Sequence, residues 1–211
     1  METNQNYFED IKTIKKIMEE SSRFLSLSGL SGLFAGSFAL FGGVAAYFLF
    51  NENKVLFFNE YINNIPFTES GSTAIKILSV SLIVLILAIG SAIYFSFKRA
   101  KNQGVKIWTP ISKRLLINFL IPLITGAAFV IILCIESQWQ LIVPSMLIFY
   151  GLALVNSGKF TYSEVFYLGL AEIITGLVSA FIPEYALLLW CFGFGVLHII
   201  YGLVMYRKYE V

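Results

Sequence analysis

Residues 167–206 read YLGLAEIITGLVSAFIPEYALLLWCFGFGVLHIIYGLVMY, two apolar runs joined at Ile182-Pro183-Glu184-Tyr185. Extended back to Val165, the runs span 165–183 and 185–206, about 20 residues each, enough for an α-helix rising 1.5 Å per residue to cross a bilayer core of about 30 Å. A join this short turns the chain back on itself, so the two runs predict an antiparallel hairpin.

The same pattern extends outward in both directions. Apolar blocks predict helical spans at 24–50, 74–97, 115–135, 139–157, 165–183 and 185–206, which form one six-helix membrane domain over 24–211 behind a polar segment at 1–23. Hydrophobic residues make up 57% of the 211 and charged ones 13%, where a soluble domain carries about a quarter. Membrane β-strands would appear as alternating segments of about 10 residues, and the blocks show no such alternation. Helices also satisfy their own backbone groups in lipid, so the fold class is all-α.

Charge sets the expected orientation. Of the 15 Lys and Arg residues, 13 fall before the first span, in the second and fourth connections or after the sixth span, and only Lys54 and Lys76 fall on the other face. Cations are retained on the cytoplasmic side, which places both termini there. The block at 24–50 is too long, and residues 1–23 too polar, for a cleavable leader, so the first span is expected to stay in the mature protein.

Residues 7–23 carry Phe8, Ile11, Ile14 (or Lys15) and Met18 at helical spacing between charges, which predicts either a short amphipathic helix able to lie on the membrane or receive a cytoplasmic partner, or a solvated cytoplasmic extension. Asn51 to Thr73 reads as a long polar outer connection. Pro122 and Pro144 lie inside spans three and four, where each removes a backbone donor.

An internal repeat emerges from aligning the hairpins. Leu123-Ile124-Thr125-Gly126 recurs as Ile173-Ile174-Thr175-Gly176, and Ile148-Phe149-Tyr150-Gly151-Leu152 as Ile199-Ile200-Tyr201-Gly202-Leu203. Gly29 to Gly36 is similar to Gly169 to Gly176, which makes the first hairpin a third, diverged copy. Each unit holds two spans, so the copies would be parallel. This pattern, clearest over 115–206, resembles the two-span repeat of the HdeD-like acid-resistance membrane proteins. The resemblance implies a bacterial inner-membrane protein with a stress-related role, and the family offers no catalytic motif to carry over.

Spanning helices associate where small residues permit close approach. Gly32 and Gly36 on the first span, Gly176 on the fifth and Gly202 on the sixth are the expected packing positions; a second copy of the chain is the other surface they would serve. Cys134 and Cys191 lie in apolar blocks without metal-ligand or redox spacing, and read as structural thiols.

Glu172 is the one carboxylate deep in a span, about 12 Å along the helix from Glu164, and a charge at that depth costs at least about 2.5 kcal/mol on insertion scales. His198, the only histidine, shares its expected face with Gly195, Tyr201 and Gly202. Counted from the turn at Pro183, the two lie within about 4.5 Å of the same depth and can meet across one hairpin. Glu172, His198, Thr175 and Tyr201 are therefore the candidate polar, protonation-sensitive site; the competing reading is a buried hydrogen bond that sets helix register.

No nucleophile-base constellation, metal motif or phosphate-binding glycine loop is present, so no enzymatic activity, metal or cofactor is expected. A lone histidine cannot supply two haem ligands within one chain. The expected function is a non-enzymatic stress-response or envelope-maintenance membrane protein, with a small transporter or a lipid- or hydrophobic-ligand-binding protein as the alternative. Membrane lipids are the expected partners, and a net charge of +2 gives no reason to invoke nucleic acid.

Overall fold

The computed structural model describes residue 24 and residues 26–51, 67–136 and 138–211; the predicted amphipathic segment at 1–23 and most of the long outer connection lie outside them. The elements are α1 (Gly29–Asn51), α2 (Phe67–Asn102), α3 (Pro110–Ile135), α4 (Ile142–Gly158) and α5 (Ser163–Phe181), followed by a composite sixth span. That span comprises a 3₁₀ turn (Pro183–Tyr185), α6 (Ala186–Trp190), a π-helical segment (Cys191–Leu197) and α7 (His198–Tyr209). The described residues contain no strand, and six of their helical segments are long and apolar enough to cross a membrane, the make-up of a multipass membrane protein.

Several helices outrun the apolar blocks that announce them. α2 begins at Phe67, inside the stretch expected to be a loop. α3 begins at Pro110, five residues ahead of the predicted span, because Thr109 and Ser112 cap it reciprocally: Ser112 N donates to Thr109 Oγ1 at 3.1 Å and Thr109 N donates to Ser112 Oγ at 2.8 Å. Between α2 and α3, Gly104 turns the chain at a φ of 66°, a left-handed conformation that glycine adopts without a Cβ clash. Pro144, expected to interrupt span four, falls in the first turn of α4, where a missing N–H is tolerated. Pro122 does lie inside α3, and the Asn118 carbonyl one turn earlier, left without its usual donor, accepts from Asn156 Nδ2 at 3.0 Å.

The inner helices are α1, α4, α5 and the sixth span, with α2 packed on α1 and α3 on α4. Although joined by residues 103–109, α2 and α3 scarcely touch. Outward faces remain strongly apolar: Phe41 is 74% exposed, Ile135 73% and Phe181 86%, a surface that needs hydrocarbon around it.

Glycine brings backbones together at two crossings. Where α4 meets α5, a Cβ on Gly151 would lie 2.6 Å from Gly169 O and 2.9 Å from Ile173 N, and one on Gly176 would lie 3.0 Å from Ile148 N. Where α1 meets the sixth span, a Cβ on Gly202 would lie 2.7 Å from Gly29 O and 2.5 Å from Leu33 N, and one on Gly36 would lie 3.0 Å from Ile199 N. Gly32 faces Gly202 Cα in the same way, at 3.1 Å. All four predicted packing glycines therefore stand at helix contacts inside one chain, where any side chain would force the backbones apart.

Candidate functional site

Glu172 lies on the buried face of α5 with Leu168, Gly169, Thr175, Gly176 and Ser179, and its exposure is 0%. His198 opens α7 and is 6% exposed. The two side chains meet, with His198 Nδ1 3.3 Å from Glu172 Oε1. The contact is close enough for an ion pair but not aligned as a hydrogen bond, because the ring's hydrogen-bond partner on that side is Gly193 O, 3.1 Å from Nδ1. Neither Glu172 oxygen has a hydrogen-bond partner among the described residues, and nor does Ser179 Oγ.

The π segment creates this arrangement. A π-helix pairs residue i with i+5, which brings Gly193 and His198 into line along the span. Gly193 also makes room for the carboxylate: a Cβ there would lie 2.6 Å from Glu172 Oε2 and 2.5 Å from Leu147 Cδ2. On its other edge the imidazole meets α4, where Tyr150 Oη lies 2.8 Å from Nε2. The rings of Tyr150 and Phe194 flank it, with centroids 5.5 and 6.2 Å away.

Two proton arrangements fit these distances. In one, Tyr150 donates to Nε2 and the neutral ring donates from Nδ1 to Gly193 O. In the other, the ring is imidazolium, Nε2–H donates to the tyrosine oxygen, and the Nδ1 proton lies between Gly193 O and Glu172 Oε1. Charge is balanced only in the second arrangement, or when Glu172 itself holds the proton. One proton taken up by the pair removes a buried, uncompensated charge whichever atom receives it.

Two members of the expected site lie elsewhere. Thr175, though buried on the same face of α5, donates back to Ala171 O at 2.8 Å within its own helix. Tyr201 packs against Gly32 and borders the apolar cluster of Leu154, Tyr162, Val165, Leu168 and Met205. Tyr150 completes the site in their place; a tyrosine at span depth was the available signal, but its partner depends on how α4 meets the sixth span.

A second polar cluster closes the basic end of the bundle. Arg99, 8% exposed, donates to Leu27 O at 2.6 Å, Glu210 Oε1 at 2.8 Å, Tyr162 Oη at 3.1 Å and Tyr209 O at 3.2 Å. Glu210 also accepts from Gly29 N at 2.5 Å and Ser28 Oγ at 3.2 Å, which places an anion at the amino end of α1. Burial pushes the Tyr162 phenol above the ordinary tyrosine range, partly countered by the Arg99 guanidinium. In the sequence, Arg99 reads only as one more topology-setting cation. Cys134 and Cys191 are both free, half-buried thiols.

No family model, curated protein or solved structure matches this chain.

Proposed function

We propose that this chain is a non-enzymatic protein of a bacterial inner membrane, acting in stress response or envelope maintenance, in which Glu172 and His198 form a proton-responsive element. The observation that carries this reading is a fully buried carboxylate with no hydrogen-bond partner among the described residues, 3.3 Å from the chain's only histidine. An intramembrane ionisable residue is costly, and one left short of donors costs more than a core residue would. A purely structural contact would gain by saturating those oxygens.

The orientation with both termini cytoplasmic rests on the distribution of Lys and Arg. The internal repeat is supported by the two glycine crossings, since Gly151 against Gly169 and Ile173 has its counterpart in Gly202 against Gly29 and Leu33. The resemblance to the HdeD-like proteins supports the stress-related role.

The proposal requires the folded pair to hold a proton that the unfolded chain has released, and such a proton makes the fold more stable as pH falls. Denaturation of the purified chain in mild detergent should show that rise, and both Glu172→Gln and His198→Ala should flatten it. An unchanged pH profile in both variants would defeat the proposal.

A further inference from the structure

α4 presents a second site on another face. Phe149, Leu152, Val155, Asn156 and Lys159 line a groove of 320 Å³ against Pro122 and Thr125 of α3, whereas the neighbouring Tyr150 points to His198. The groove's origin is local. α3 and α4 are pinned at one level by Gly126 against the Phe149 side chain and at another by Asn156 Nδ2 on Asn118 O. Along this stretch the helices leave a furrow open to the surroundings, within the size range of small-molecule sites.

Length and charge identify an occupant. From Phe149 to Lys159 the helix rises about 15 Å, half of a hydrocarbon core of about 30 Å and therefore the depth of one leaflet. The inner part of the groove is apolar. Its mouth carries Lys159, exposed and in no ion pair among the described residues, at the same end of the bundle as Arg99 and Lys208. Basic pockets between spanning helices on the cytoplasmic side recognise anionic lipid headgroups, and a long lysine stem reaches the interface while its chain lies on apolar surface.

We propose that this groove binds one acyl chain of an anionic glycerophospholipid, with the lipid phosphate held by Lys159. The site rests on the membrane reading and is independent of the Glu172–His198 pair.

Native mass spectrometry of the full chain, released from detergent with equal amounts of phosphatidylglycerol and phosphatidylcholine, tests it. The expected result is one retained phosphatidylglycerol per chain, preferred about fivefold, the effect of a single interfacial cation. Lys159→Gln should equalise the two lipids. Leu152→Trp, which fills the furrow from an exposed position, should lose both. Lys106→Gln, on the exposed connection between α2 and α3, should keep the wild-type preference. No preference in the wild type, a preference that survives Lys159→Gln, or an equal loss in Lys106→Gln would overturn the proposal, the last by making the effect one of diffuse surface charge. Should Leu152→Trp fail to fold, the two lysine variants still decide. All three variants should retain the stabilisation on acidification, so failure here is distinguishable from failure of the proton-responsive pair.

Discussion

Glu210 and Glu172 are both carboxylates beside a basic side chain at a helix contact, yet they keep opposite company. Glu210, at the basic end, accepts from the Arg99 guanidinium, the first amide of α1 and the Ser28 hydroxyl. Glu172, in the middle of α5, has His198 within 3.3 Å and no hydrogen-bond partner among the described residues. A saturated carboxylate holds elements together and gains nothing by changing its proton count. An unsaturated one beside an imidazole can lower its energy by sharing a proton with it. The contrast in hydrogen bonding separates a clasp from a candidate switch, one carboxylate being saturated and the other without a partner among the described residues.

The largest effect should come from breaking the clasp. Arg99→Ala leaves Glu210 without its cation and frees four acceptors, so the fold should lose about 3 kcal/mol in a detergent unfolding titration. Glu172→Gln should lose far less or gain stability at pH 8, because it removes a charge without removing a hydrogen bond. Equal losses in the two variants would erase the distinction. Gly193→Ala comes next: its methyl must displace Glu172 Oε2 or Leu147, at a cost of about 1–3 kcal/mol, and the pH dependence should change with it. The smallest effect is expected for Asn156→Ala, which strips the donor from the Asn118 carbonyl at Pro122; about 0.6 kcal/mol is typical of such an interhelical bond, with no change in pH response.

Much of this was legible from residue order. Glu172 and His198 could be matched in depth because a helix rises uniformly and the turn at Pro183 sets the zero. The packing glycines were legible because lipid leaves only close approach to hold helices together. What escaped was rotational. A constant period of 3.6 puts Gly195 beside His198, but the π segment brings Gly193 into line with the ring instead, and Tyr150 reaches it from another helix. Thr175 sits on the predicted face and still turns its hydroxyl into its own helix, a choice that spacing does not record.

Composition and the lengths of the apolar runs suffice for an all-helical chain with six helices able to cross a membrane, because the hydrocarbon core demands that length and that self-satisfied backbone. They also single out Glu172 and His198 by their rarity at depth. Which side chains join them, where Arg99 finds its acceptors, and that α3 and α4 leave a furrow beside Lys159 follow from contacts between helices far apart in the chain. Those contacts depend on helix rotation and crossing, which glycine, proline and a single π segment tune by a few ångströms and which no local pattern encodes.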